Sequence, residues 1–276
     1  MNPTSIGVVA STPTVYLSWL LADLGELGIP AKWVFLGSAT ERRLFALRSL
    51  SRVRKRHGWL EVLSRIADRR SSERSCKREA PDFTSLQSIW GFEVVPYDNV
   101  SGGRFLLDVL QRAPSLLLLA GCGIVDSSLL TIPKLGVLNC HPALLPGARG
   151  VDVIEWSLIR DLPLGVTTHF VSANVDAGPI ILRRDVMPRP GDSLAEFRMR
   201  MLRMQARCLA DAAGSVISGD YTVQENDLTK STLFHASRRA DRRLAESKFA
   251  MLTKSCLASP GLLGQRRDDS SAHGSL

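Results

Sequence analysis

Three polar side chains between residues 138 and 180 are the best candidates for catalysis in this chain. Asn139 and His141 are two positions apart in a short run with strand character, so both side chains project from the same face of that strand. Asp176 comes later, just before Gly178 and Pro179, in a segment that can fold back toward His141. The sequence therefore predicts that an amide, an imidazole and a carboxylate meet at one site.

These three groups suit the transfer of an acyl group to an amine. An amide can stabilise a developing oxyanion, and an imidazole can donate a proton or a hydrogen bond. A carboxylate can orient the imidazole and take part in removing a proton. The set has no Ser or Cys nucleophile, so we expect direct transfer without a covalent enzyme intermediate.

The hydropathy pattern alternates strands and helices, which is typical of an α/β fold with a mostly parallel sheet and helices on both faces. Ligands bind at the carboxyl ends of the strands in such sheets, where Asn139 and His141 are expected. The turn after the first strand has no G-x-G-x-x-G motif, so nothing indicates a dinucleotide site. The predicted strands are 6–10, 32–36, 93–96, 116–120, 137–141, 165–171 and 179–186, and the predicted helices are 15–27, 103–112, 152–160 and 193–218.

The net charge of +8 is concentrated in one segment. Residues 41–80 hold thirteen basic and five acidic residues, and leucines and other apolar residues recur among them at three- and four-residue spacing. This pattern predicts amphipathic helices inserted into the domain, with a solvated basic face. Binding of an anionic ligand, an RNA or a membrane surface by this face is the alternative.

The 276 residues divide into three predicted parts. Residues 1–220 form the α/β domain with the insertion at 41–80, residues 221–255 form a helical extension, and residues 256–276, rich in Ser, Gly and Arg, are expected to be disordered. The five cysteines are widely spaced and predict neither disulfides nor a zinc site. No apolar run approaches the length of a membrane span and no secretory signal is recognisable, so we expect a cytoplasmic protein without membrane contact.

Several linked motifs resemble the folate-dependent formyltransferases, a family that acts on glycinamide ribonucleotide, methionyl-tRNA and sugar-nucleotide amines. These motifs are N-x-H-P-x-L-L-P at 139–146 with R-G at 149–150, G-V-T-x-H at 165–169, and D-x-G-P-I at 176–180. The resemblance covers about residues 90–220. It implies a Rossmann-like formyltransferase domain that uses 10-formyltetrahydrofolate as its formyl donor, with Asn139, His141 and Asp176 at the catalytic positions.

The resemblance also implies binding residues. It places the pterin in a slot contacted mostly through backbone groups of Leu118, Leu119, Ala120, Gly121, Cys122, Ile124, Ser172 and Val175. It places the amine substrate near Ser11, Thr12, Pro146 and Arg149. Departures from the pattern at Ala143, Gly147, Ala148 and Ala177 leave the identity of the substrate open.

Among the family's activities, we expect formyl transfer to a primary amine of a small metabolite, with an amino-sugar nucleotide as the leading choice. The glycine-rich phosphate loop of the glycinamide ribonucleotide enzymes is missing after the first strand. Only some fifty residues follow Asp220, fewer than the additional domain of methionyl-tRNA formyltransferases requires, so nucleic acid is not an expected partner. A 10-formyltetrahydrofolate hydrolase and a methionyl-tRNA formyltransferase-like protein are the enzymatic alternatives.

The non-enzymatic alternative is a binding module that docks RNA or a protein through residues 41–80. A homo-oligomer is left open. We predict a structural role for His169, and no metal at a site built from His141, His169 and Asp176. Arg149 is expected either to hold its loop through backbone carbonyls or to contact a substrate anion, and Asp152 and Glu155 are expected to cap a helix.

Overall fold

The computed structural model describes residues 4–59, 61–63, 65 and 80–258. Helices and strands alternate along most of this length, as the hydropathy pattern predicts. The strands are β1 (Ile6–Ala10), β2 (Ala31–Gly37), β3 (Glu93–Tyr97), β4 (Leu116–Leu119), β5 (Val137–His141), β6 (Ala148–Gly150), β7 (Gly165–Phe170), β8 (Ile180–Asp185) and β9 (Thr232–Phe234). The helices are α1 (Val15–Glu26), α2 (Ala39–His57), α3 (Phe83–Trp90), α4 (Gly103–Arg112), α5 (Val153–Ile159), α6 (Leu194–Ser218) and α7 (Arg239–Ala258).

Seven strands form one sheet in the order β3-β2-β1-β4-β5-β7-β8. The strands from β3 to β5 in this order are parallel to one another, whereas β7 pairs antiparallel with both β5 and β8. The predicted mostly parallel sheet is confirmed. Because the parallel strands all end at the same edge, the loops that follow them gather there and can build a site.

Both faces of the sheet are covered, which explains why the inner strands are apolar throughout. Along β4, Leu116 and Leu118 pack into a cluster shared with α1 and α6, while Leu117 and Leu119 pack into a second cluster shared with α4. Successive side chains of a strand point to opposite faces, so one run of leucines serves both cores. Helices on both faces are thereby confirmed.

The C-terminal extension packs on the domain, largely through α7. This helix contacts α5, and the ring of Phe249 lies 5.1 Å from that of Phe197 on α6. Burial of each of these two rings contributes on the order of 1.5–3 kcal/mol. The predicted boundary at residue 256 is wrong, because α7 continues to Ala258. Residues 259–276 of the predicted disordered tail lie outside the described residues.

The extension also contributes a strand, which the sequence analysis did not predict. β9 pairs in parallel with β6, in the loop after β5 that we expected to be without strand structure. At Gly150, with φ of +97°, an added Cβ would lie 2.2 Å from the carbonyl oxygen of Phe234. A glycine is therefore needed at this crossing of the two strands.

The basic segment is helical where it is described and is docked through polar contacts. Arg65 pairs with the carboxylate of Asp152 and donates to the carbonyl of Ser237, while Glu61 pairs with Arg242 of α7. We expected a solvated basic face, but these contacts hold Arg65 against the domain. Asp152 does not cap α5 through its side chain. Burial alone would raise the pKa of Asp152, but hydrogen bonds from Arg65 and Ser237 outweigh it and lower that pKa.

The apolar side of the basic segment is only partly covered. Val53 is buried, whereas Leu47, Trp59 and Leu63 are each more than 60% exposed. The apolar side chains of the segment are therefore not all packed against the domain, although the amphipathic pattern predicts that they are. Polar contacts also hold the segment, such as that between the His57 ring and the carbonyl of Ala236. Arg69 and Arg70 lie outside the described residues. Within the described ranges, every helix is too short or too polar to cross a lipid bilayer.

Candidate active site

His141 is the last residue of β5 and is almost completely buried, with 3% exposure. Its Nε2 lies 3.0 Å from the carbonyl oxygen of Ala148 in β6. A carbonyl oxygen can only accept, so Nε2 carries the hydrogen in the neutral ring and Nδ1 carries the lone pair. The loop between these residues is held by Thr167, whose hydroxyl donates to the carbonyl of Ala143 and accepts from the N–H of Leu145.

Asp176 folds back to the end of β5, as expected from its position in the chain. One carboxylate oxygen accepts a hydrogen bond from the Gly150 N–H at 3.0 Å and lies 3.4 Å from Nδ1 of His141. The other oxygen lies 3.7 Å from Nε2 of His169. Asp176 has a left-handed φ of +48°, a conformation that Asp tolerates better than most residues. The carboxylate therefore sits between two imidazole rings.

Both histidines are held neutral by their surroundings. Burial lowers the pKa of His141, and the nearby Asp176 carboxylate only partly offsets this effect. Burial likewise lowers the pKa of His169. With both rings neutral, two ring nitrogens face the Asp176 carboxylate without a hydrogen of their own. This arrangement can accept and hold a proton.

His169, for which we predicted a structural role, lies beside the Asp176 carboxylate. Its Nδ1 donates to the carbonyl of Phe170 at 2.8 Å, which is the local hydrogen bond that a structural role predicts. Its other nitrogen has no hydrogen-bond partner among the described residues and faces Asp176. The backbone of β7 places it there, because His169 pairs in register with Asn139.

Asn139, His141, His169 and Asp176 all line one cavity of about 430 Å³ at the carboxyl edge of the sheet. Asn139 and His141 open onto it from the same face of β5, as the strand period predicts. Of the residues expected to hold the pterin, six line this cavity: Leu119, Gly121, Cys122, Ile124, Ser172 and Val175. Leu118 and Ala120 do not, because they point to the opposite face of the sheet and are buried in the core with α1 and α6.

The residues expected to bind the amine are not gathered in this cavity. Ser11 is buried beside Gly37 of β2 with 1% exposure, and neither it nor Thr12 or Pro146 lines the cavity. Arg149 donates from Nη1 to the carbonyl of Val175 at 3.0 Å and from Nε to the hydroxyl of Ser231. These contacts match the interpretation in which Arg149 holds its loop. Contact of any of the four with substrate stays a prediction.

Asn226 holds the Asp176 loop and was not among the predicted site residues. Its side-chain amide donates to the carbonyls of Asp176 and Gly178, at 3.0 and 3.1 Å. Gln205 of α6 similarly donates to the carbonyl of Cys140 and lines the cavity. No local signal marks Asn226, because it lies fifty positions from Asp176 in the segment before β9.

A family model for proteins described as formyl transferase matches residues 98–213, a segment that contains Asn139, His141 and Asp176. This part of the chain is similar to the formyl transferase family. The resemblance inferred from the motifs is thereby confirmed. Among the described residues, no group of three His, Cys, Asp or Glu side chains has the arrangement of a metal site, and a metal-free reaction stays a prediction.

One curated relative is the methionyl-tRNA formyltransferase of Chlorobium limicola, which is 27% identical over 198 residues. The match covers 70% of this chain and 61% of the relative. The chain therefore spans about three-fifths of the length of the relative it matches.

Solved structures with the same fold include glycinamide ribonucleotide transformylase 1 from Symbiobacterium toebii, with a TM-score of 0.55 and 24% identity over 81% of this chain and 92% of that one. A sugar N-formyltransferase from Shewanella sp FDAARGOS_354 has a TM-score of 0.57 and 14% identity, over 89% and 87% of the two chains. The fold is thus the Rossmann-like fold of the formyltransferases.

Replacing Asn226 with alanine is expected to loosen the Asp176 loop. Two carbonyls would lose their donor, and an unsatisfied buried polar group costs about 1–3 kcal/mol. We expect urea unfolding to show a loss in that range. Exchange of the Gly178 amide hydrogen should accelerate more than that of the core strands. An unchanged free energy of unfolding would contradict the role assigned to Asn226.

The buried histidines predict a pH-dependent stability. Because their pKa values are lowered in the folded state, the unfolded chain binds more protons below its ordinary histidine pKa of about 6.5. Stability is complete above that pH and falls as the pH drops below it. Urea unfolding at about pH 7.5 and about pH 5.5 should show a smaller acid loss in His141→Asn than in the wild type.

The exposed His235 provides the matched control for this experiment. His235→Asn should keep the acid loss of the wild type, because it leaves both buried rings in place. Equal acid losses in His141→Asn and the wild type would show that His141 is not held neutral.

Proposed function

We propose that this protein transfers a formyl group from 10-formyltetrahydrofolate to a primary amine of a small metabolite, with amino-sugar nucleotides as the leading class of acceptor. The observation that carries the proposal is the meeting of Asn139, His141 and Asp176 at one cavity within the formyl transferase segment. Formyl transfer needs a donor to the carbonyl oxygen and an acceptor for the amine proton, and these residues supply both.

The cavity suits a reduced folate. It is within the usual size range for small-molecule sites, and its wall combines apolar side chains with the backbone of two loops, at 121–125 and 171–176. Backbone N–H and carbonyl groups of such loops can pair with the polar edge of a flat heterocycle. When bound, the folate supplies an activated formyl group on nitrogen.

The residues of this chain then act on the formyl carbon and on the amine. The Asn139 amide donates to the formyl oxygen as the amine nitrogen bonds to the formyl carbon. The proton released by that nitrogen is held between Nδ1 of His141 and the Asp176 carboxylate. The bond from the formyl carbon to the folate nitrogen breaks, and that nitrogen takes up the proton. Atoms and charge balance without a metal.

A methionyl-tRNA is the second candidate acceptor. The name of the Chlorobium limicola relative favours it, and the basic face of α2 offers charges that a nucleic acid could contact. The small amine is preferred because a second cavity, lined by Glu41, Arg48 and residues 122–124, adjoins the first and has the size of a small-molecule site.

The test is a panel of acceptors incubated with the purified protein and 10-formyltetrahydrofolate. It contains amino-sugar nucleotides, methionyl-tRNA and a reaction without amine, and mass spectrometry detects the gain of one formyl unit. Formylation of a small amine supports the proposal, and formylation of methionyl-tRNA alone replaces its acceptor. Folate release at the same rate without amine would show a hydrolase instead. No formylation and no release, with the folate shown to bind, would overturn the proposal.

A further inference from the structure

A second cavity of about 560 Å³ opens at the same edge of the sheet. It lies between α2, the loop after β3 at residues 99–101, and the loop after β4 at residues 122–124. Since β2, β3 and β4 run parallel within one sheet, all three walls follow carboxyl strand ends. The loop at 122–124 also lines the cavity of His141, so the two cavities meet at this loop.

The wall formed by α2 contains a buried carboxylate without a hydrogen-bond partner. Glu41 has 0% exposure, and neither of its carboxylate oxygens has a hydrogen-bond partner among the described residues. Buried polar groups are almost always paired, because an unpaired one has lost its hydration without replacement. A buried carboxylate in the wall of a cavity, without a hydrogen bond from the described residues, points to a ligand that supplies the missing donors.

Helix capping does not account for the position of Glu41. The Ser38 hydroxyl accepts from the Glu41 N–H at 3.2 Å, which is one half of a capping box. In the other half the glutamate would accept from the serine N–H, but the Ser38 N–H donates to the carbonyl of Tyr97 at 2.8 Å. On α6 the equivalent pair, Ser193 and Glu196, completes both halves. Capping therefore leaves both oxygens of the Glu41 carboxylate without a hydrogen bond from the described residues.

Two guanidinium groups line the same cavity. Nη1 of Arg48 lies 3.6 Å from a Glu41 oxygen, beyond hydrogen-bond distance, and about half of its side chain is exposed. Arg52 follows one helical turn later and is also exposed. Burial raises the pKa of Glu41, to which nearby Asp98 adds, while Arg48 lowers it. A carboxylate beside two cations fits a ligand that joins hydroxyl or ammonium groups to an anionic group.

We propose that this second cavity is the acceptor subsite. Glu41 accepts hydrogen bonds from hydroxyl or ammonium groups of the acceptor, and Arg48 and Arg52 bind its phosphate or carboxylate. The ligand class is an anionic, polyhydroxylated amine that reaches His141 past the loop at 122–124. This inference rests on the proposed formyl transfer and names the chemistry of its acceptor.

The test is a binding experiment that needs no turnover. Glucosamine 6-phosphate is the probe, since it joins an amine, hydroxyls and a phosphate, and calorimetry measures its affinity for the full chain. Glu41→Gln should weaken this affinity about 10- to 100-fold, the effect of losing hydrogen bonds to a charged group. Arg43→Gln, on the exposed side of α2 outside the cavity, is the matched control and should bind as the wild type does.

Thermal unfolding separates a binding role from a structural one. If Glu41 serves a ligand, the ligand-free Glu41→Gln protein should melt at the wild-type temperature or above it, because a buried charge without hydrogen bonds from the described residues is removed. A lower melting temperature with unchanged affinity would make Glu41 a structural partner of Arg48 and overturn the inference. Absence of saturable binding, or equal affinity for inorganic phosphate alone, would overturn it as well. None of these outcomes tests the proposed formyl transfer itself, which the acceptor panel tests separately.

Discussion

Replacing Asp176 with asparagine should lower kcat for the proposed formyl transfer about 100- to 10,000-fold, the range for loss of a general acid or base. The asparagine side chain cannot hold the proton that leaves the amine. Its NH₂ group would also point its hydrogens toward the ring nitrogen of His141 or of His169. The Gly150 N–H that now donates to the carboxylate can still donate to the amide oxygen. We therefore expect the fold to persist, and steady-state kinetics with circular dichroism measure both effects.

Asp185→Asn is the matched control for Asp176→Asn. Asp185 ends β8, is exposed, and does not line the cavity. Its substitution makes the same chemical change and should leave kcat within about twofold of the wild type, since exposed substitutions of this kind have small effects. If Asp176→Asn turns over at the wild-type rate, the result would contradict the proposal that His141 and Asp176 hold the proton.

Replacing Asn139 with alanine should lower kcat about 100- to 1,000-fold, the usual loss for one oxyanion donor. Asn139 lines the cavity from the end of β5 and forms no side-chain hydrogen bond with another described residue, so its amide is available to substrate. The donor hydrogen bond strengthens as negative charge develops, so the loss should appear in kcat more than in KM.

Asn174→Ala tests whether the Asn139 effect depends on position. Asn174 lines the same cavity from the opposite loop, and its substitution also removes one amide. We expect kcat to stay within about tenfold of the wild type, because Asn174 does not stand beside His141 on β5. Equal losses in the two variants would indicate a general effect of cavity polarity and contradict an oxyanion role for Asn139.

The strands and helices that carry the site were largely predictable because their signals are local. The β-branched run at 6–10, the leucines at 116–119 and the serine that caps α6 each specify a structure within a few residues. The insertion was harder to predict. Its spacing indicated a helix, but Arg65 pairs with Asp152 and Glu61 with Arg242, residues that lie 87 and 181 positions away.

The candidate site divides in the same way. The common direction of Asn139 and His141 follows from the two-residue period of a strand. His169 joins them only because β7 runs antiparallel to β5 with Asn139 opposite His169, and no pattern within either strand specifies that register. Asn226 could not be found because its two hydrogen bonds connect segments about fifty positions apart.

What the amino-acid order alone determined is the type of each element, the edge of the sheet where chemistry could occur, and the family that its motifs resemble. Hydropathy period, capping residues and motif spacing are properties of short stretches of sequence. They therefore do not depend on how the rest of the chain folds. The tertiary structure alone decided that Asp176 lies between two histidines, that β9 crosses β6, and that the Glu41 carboxylate beside a second cavity has no hydrogen bond from another described residue. Such contacts depend on strand register and helix packing, which are set by the whole core at once.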